Sequence, residues 1–249
     1  MLFLLLPRIH AHIFSPDYRL VFQPKFTLAH ITAKQVSIRG DTKPANGPDL
    51  HRVRKIDVMT IQHVVDKPSR AALFLVLEIK DGGEQATRDM LTGFAGLFKS
   101  VNFRYNEGEL YTVVGIGASL WPRLTTAPMP ERLKEFEAID AAHKAPATPG
   151  DTLLHFRANS YDLCHEMARQ VLDQLGEAAT VIDETQGFKY LDQRDLLGFV
   201  DGTANPLAEE ALDTVLLGDD ADYPRGSYVT VQKYIHDLAK WNELSTEEQ

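Results

Sequence analysis

"RAALFLVLEIKDGGEQATRDMLTGFAGLFKSV", residues 70–101, decides the fold. Its first ten residues are an apolar run of strand length. Asp81-Gly82-Gly83 then supplies turn chemistry. Beyond the turn, Ala86, Met90, Leu91, Phe94, Leu97 and Phe98 recur at helical spacing on one side. A strand feeding at once into an amphipathic helix predicts a βα unit.

The same grammar returns downstream. "ELYTVVGIGASLW" (109–121) is rich in β-formers, and its glycines allow close backbone approach. "DTLLHFRA" (151–158) alternates like a strand. "NSYDLCHEMARQVLDQLG" (159–176) offers Asn159 or Ser160 as an N-cap and Gly176 as a terminator. Between them runs an apolar stripe of Leu163, Met167, Val171, Leu172 and Leu175. "ATVIDETQGFKYL" (179–191) reads as a further strand. The order β-α-β-loop-β-α-β predicts an α+β, ferredoxin-like domain. The loop is Pro-rich, with a short helix expected in "ERLKEFEAI" (131–139) and Glu131, Glu135 and Glu137 on its solvated face.

A second unit begins after Leu191. "LAEEALDTVLLGDDADYPRG" (207–226) is acidic and expected to be looped. "SYVTVQKYIHDL" (227–238) alternates over a long strand, with Tyr228, Thr230, Gln232, Tyr234 and His236 on one face. "LAKWNELSTEEQ" (238–249) then starts a helix. One strand and one helix start do not close a sheet, so this unit reads as incomplete.

Composition narrows the function classes. With 249 residues, 44% hydrophobic and 24% charged, the chain has the make-up of an ordinary globular protein. A net charge of −9 speaks against nucleic acid as a partner. No apolar run approaches the roughly 20 residues needed to cross a membrane as a helix. Cys164 is the single cysteine, so no intramolecular disulfide forms, and on an amphipathic helix it reads as a small buried hydrophobe.

The charge is unevenly spread. Residues 1–58 hold nine Lys/Arg and four Asp with no Glu, whereas the rest of the chain is strongly acidic. The expected organisation is a basic extension outside the fold at 1–58, joined through the linker-like "GDTKPANGPDL" (40–50). A first domain at 59–190 and a second beginning at 191–249 follow. "MLFLLLPRIHAHIF" lacks the basic start and cleavage pattern of an export signal, so a cytoplasmic address is expected. His10 and His12 share one face of an extended segment, but two imidazoles without a third ligand make a poor metal site.

The densest chemistry lies in "LLGFVDGTANP" (196–206). Asp-Gly followed by Asn-Pro is ordinary turn chemistry, with Asp201 bonding its own backbone. "FVDGT" also matches the end of an aspartyl-phosphatase pattern of the haloacid dehalogenase kind, but Phe199 occupies the nucleophile's position and leaves the covalent step without an agent. A third reading comes from wider context. "GFKYLDQRDLLGFVDGTANP" (187–206), followed by "GSYVTVQKYIHDLAKWNELSTEEQ" (226–249), resembles the dye-decolorizing (DyP-type) haem peroxidases, and among them the bacterial branch that includes enzymes packaged in encapsulin shells. The similarity covers roughly residues 68–249.

That resemblance implies a tandem ferredoxin-like fold holding haem b, with hydrogen peroxide and an organic electron donor as substrates. It implies that Asp201 is the distal acid/base that moves a proton between the peroxide oxygens. Gly198, Phe199, Val200, Gly202 and Thr203 become the distal wall, where glycines let backbone lie against a flat macrocycle. A homo-oligomer and an encapsulin shell are the implied partners. The family's proximal histidine and distal arginine fall beyond the matched stretch, and His236 does not correspond to that axial ligand. The alternative expectation is therefore a haem-free, inactive fragment that keeps only α+β association surfaces. Tyr190, Tyr234 and Trp241 could relay electrons, but aromatics on strands and amphipathic helices are usually packing residues.

Overall fold

The computed structural model describes residues 2–4, 21–30, 62–66, 68–141, 144–200, 205–206, 208–218 and 222–249. The apolar run at 70–79 becomes β3 (Ala71–Ile79), whose Leu73, Leu75, Leu77 and Ile79 enter one core while Phe74 and Val76 point to the opposite face. Helix α1 (Glu84–Arg104) follows and buries Thr87, Met90, Leu97 and Val101 against that core. Thr87 is fully buried because its hydroxyl donates to the Gly83 carbonyl, closing the first turn from inside.

Strand β4 (Tyr111–Gly117) leads into a short α2 (Trp121–Leu124) and then a long connection carrying the two-residue strands β5 (Ile139–Asp140) and β6 (Lys144–Ala145). Strand β7 (Thr152–Ala158), helix α3 (Tyr161–Leu175) and strand β8 (Ala179–Phe188) complete the unit. On α3, Leu163, Met167, Val171 and Leu175 are buried as the stripe predicts, and Cys164 packs among them.

The four long strands lie in the order β4-β7-β3-β8, every neighbouring pair antiparallel. Two crossovers, α1 and α3, pack on the same face and against each other, which is the ferredoxin-like arrangement. Asp151 ties the β7 start to its surroundings. Its carboxylate accepts from Ile79 N at 2.8 Å and from Ser119 Oγ at 2.8 Å, and Arg123 stands 3.6 Å away.

The sheet extends past β4. Strand β9 (Ser227–Ile235) carries the predicted alternation, with Val229 and Val231 buried against Val76 and Leu153 on the face away from the helices. Lys233 of β9 reaches Asp183 of β8 at 3.5 Å, so the curled sheet brings its two sides together there. Among the described residues the full order is β1-β9-β2-β4-β7-β3-β8, with β1 (Leu2–Leu4) and β2 (Val21–His30) on either side of β9. These two strands come from the basic block expected to stand outside the fold. Their acid-free, largely apolar sequences suit the pairing, and the register shift between Lys25 and Thr27 lies beside Pro24, which has no N–H to donate. The linker at 40–50, His10 and His12 lie outside the described residues.

Two local expectations change. Residues 131–138 form no helix: Leu133 is buried and Glu135 accepts from Ser119 N at 2.9 Å, contacts that hold the segment along α2. Glu131, Glu135 and Glu137 remain exposed. Conversely, part of the acidic segment at 207–226 is helix α4 (Ala208–Val215), because Ala211 and Val215 lie one turn apart and bury together. Helix α5 (Leu238–Glu243) then starts where the side chain of Asp237 accepts from Lys240 N.

Candidate functional site

Between β8 and α4 the chain folds back on itself twice. Arg194 forms isolated bridges with Tyr190 on one side and Val200 on the other. Leu191 and Gln193 take left-handed conformations, at φ of 40° and 66°, to make the first reversal. Gly198, at φ of 97°, makes the second. A Cβ at Gly198 would meet nothing within 4 Å, so the turn requires glycine for its backbone and not for space.

Asp195 sits inside the second reversal. Its Oδ1 accepts from Leu197 N and from Phe199 N, both at 2.9 Å. Its backbone N–H donates to Phe199 O at 2.8 Å, and its carbonyl accepts from Gly198 N at 3.1 Å. Arg194 Nη1 donates to Gly198 O at 2.6 Å. From α5, Trp241 Nε1 donates to Leu197 O at 3.1 Å, and its ring meets Phe199 edge-on at 5.7 Å. Trp241 is thus a packing and anchoring residue for this loop.

Of the residues expected at the site, Gly198, Phe199 and Val200 are brought together here, whereas Asp201, Gly202 and Thr203 lie outside the described residues. Phe199 and Val200 are 49% and 48% exposed, an unusual state for adjacent large apolar side chains. They do not join the core clusters. The loop offers an apolar surface at the two residues that precede Asp201 in the sequence.

His236 directly follows β9. Its Nε2 is buried with no hydrogen-bond partner among the described residues. Burial holds the imidazole below its ordinary pKa, and the nearby Asp195 carboxylate pulls the other way. Tyr234 stacks at 6.5 Å from it and donates to Gln232 Oε1 at 2.7 Å. Tyr190 meets Phe188 edge-on. Among the described residues no group of three or more His, Cys, Asp or Glu side chains is placed to hold a metal ion, and no helix is long and apolar enough to cross a membrane.

Two family models match this chain. Residues 62–189 match the Dyp-type peroxidase N-terminal domain, and residues 192–249 match the Dyp-type peroxidase C-terminal domain. The chain belongs to the DyP-type peroxidase family. A dye-decolorizing peroxidase from Brevibacterium linens is 50% identical over 192 residues, covering 76% of this chain and 52% of that protein. Another from Rhodococcus erythropolis is 51% identical over 183 residues, covering 73% and 54%. The chain therefore spans about half the length of the curated relatives it matches.

Solved structures agree. DyPB from Rhodococcus jostii RHA1 superposes with a TM-score of 0.73 at 49% identity, covering 76% of this chain and 62% of that one. A variant of the same protein, solved in complex with heme, gives 0.72. The encapsulated DyP-type peroxidase from Mycobacterium smegmatis gives 0.74 at 45% identity, again covering 76% and 62%. The ferredoxin-like strand order read from residues 70–191 is thus the fold of this family.

Sequence reading missed Asp195 and Arg194. An aspartate two residues before the first amide that its side chain bonds is the signature of an Asx-turn, and "DLLGF" displays it.

Proposed function

We propose that this chain carries the peroxide-cleaving side of a DyP-type haem peroxidase, with Asp201 as the acid/base. The observation that supports this most is the loop leading to Asp201. Its backbone is closed on Asp195, yet its apolar Phe199 and Val200, which directly precede Asp201 in the sequence, stay half-exposed. A flat apolar ligand is the kind of partner that covers such a surface, and the donor-poor, glycine-bracketed stretch fits one face of a porphyrin. Gly198, Phe199, Val200, Gly202 and Thr203 would form that wall. The relative solved with heme supports the same cofactor here.

Haem b, when bound, supplies the redox-active iron that carries electrons from an organic donor to hydrogen peroxide. Reduction of peroxide to two waters consumes two protons and two electrons. Asp201 takes the proton from one peroxide oxygen and delivers it to the other, so that the departing oxygen leaves as water.

The division of the chain near residue 190 into a first and a second domain is part of this reading, and the adjoining limits of the two family models support it. The encapsulated relative supports a protein shell as partner and a cytoplasmic address. Titration of the purified chain with hemin tests the proposal. A shifted Soret band that saturates at one hemin per chain is the expected result. A spectrum that stays that of free hemin would contradict it.

A further inference from the structure

We infer that Asp195 is a positioning residue for Asp201: its carboxylate sets the shape of the arm from which Asp201 departs. The inference rests on the peroxide role proposed above for Asp201. Its own support is the hydrogen bonding of Leu197, Gly198 and Phe199.

All six backbone polar groups of these three residues are satisfied within the protein. Leu197 N and Phe199 N go to Asp195 Oδ1, Gly198 N to Asp195 O, and Phe199 O to Asp195 N. Gly198 O accepts from Arg194 and Leu197 O from Trp241. Four of the six bonds thus close on one residue. Gly198 and Phe199 are exposed, and exposed backbone is satisfied by water at no cost in chain order. Saturating an exposed loop internally therefore serves its shape and not its solvation. The last of these six groups lies two residues before Asp201 in the sequence, and the bridge between Arg194 and Val200 carries the same arm one residue further, so the chain enters Asp201 from a backbone whose course Asp195 sets.

The chemistry singles out the side-chain oxygen. Two amides converge on Oδ1, a task that a carboxamide oxygen performs equally well and that alanine cannot perform. Asp195→Ala and Asp195→Asn separate the acceptor from everything else about the residue.

The test has two arms on the full chain. In hydrogen exchange without hemin, the Leu197 and Phe199 amides are expected to exchange about tenfold faster or more in Asp195→Ala and at the native rate in Asp195→Asn. The β7 amides, unchanged, report that the domain stays folded. In the second arm, hemin-loaded protein is mixed with peroxide and the rate of the spectral change is read. Asp195→Ala is expected to slow that step on the order of 10²-fold, as for a misplaced reacting group, with hemin affinity kept and the rate restored by Asp195→Asn. Unchanged exchange at Leu197 and Phe199 in Asp195→Ala would overturn the inference. So would faster exchange with an unaltered peroxide step, provided Asp201→Asn slows that step. An Asp201→Asn variant that reacts at the native rate strikes instead at the acid/base role of Asp201, and removes the use of Asp195 along with it.

Discussion

Phe74 and His155 lie face to face across neighbouring strands, their ring centroids 3.9 Å apart and their planes 13° from parallel. His155 is 5% exposed, and its Nε2 has no hydrogen-bond partner among the described residues. Burial, aided by the charge of Arg157, holds its pKa well below the ordinary value of 6.5. The ring is therefore neutral in the folded chain.

A neutral buried histidine makes stability depend on pH. The folded pKa is depressed, so below about pH 6.5 the unfolded chain binds a proton that the folded chain refuses. Stability is full above that pH and falls as the pH drops, by up to about 1.4 kcal/mol per pH unit, until the folded value is reached. His236, also depressed, adds in the same direction. Denaturant melts between pH 7.5 and 5 check this. His155→Leu is expected to flatten the profile relative to wild type, and parallel profiles would contradict the assignment.

Asp151 joins β3, β7 and the start of α2 through two hydrogen bonds and the nearby Arg123 guanidinium. Asp151→Ala leaves the Ile79 amide without its acceptor and is expected to cost about 1–3 kcal/mol, more than Asp151→Asn, which keeps one carbonyl oxygen for that amide and presents an NH2 to the Ser119 hydroxyl. Urea midpoints of the two variants measure the difference. Equal losses would show that charge, not hydrogen bonding, is what matters there.

Cys164 has no exposed surface, and burial pushes its thiol up to about 12. A thiol so placed is expected to be inert to disulfide-exchange reagents at pH 8 in the folded protein and to react at once in denaturant. Fast stoichiometric labelling of the native chain would contradict the packing of α3 on β3.

Much of this was legible because period and burial coincide. The apolar run of strand length at 70–79 and the strand-like stretch at 151–158 become β3 and β7, buried on both faces, and the 3.6 repeats match one face of each helix, so β3, α1, β7, α3 and β8 fall where expected within a few residues. The "ERLKEFEAI" segment broke the pattern because Leu133 and Glu135 find long-range partners that local propensity does not encode. Helix α4 was hidden by its acidic residues, since among its described residues only Ala211 and Val215 are buried. At the site, the glycine signature announced a turn and a carboxylate. The side chain that shapes the turn was overlooked, because Asp195 acts through backbone amides and leaves no trace in hydrophobic patterning.

The direct test of the central claim is the reaction of the hemin-loaded chain with hydrogen peroxide, followed by stopped-flow absorbance in wild type and Asp201→Asn. The expected result is a fast spectral change in the wild type that slows on the order of 10²-fold or more when the carboxylate becomes an amide. Equal rates in the two proteins would remove Asp201 from proton transfer and contradict the account.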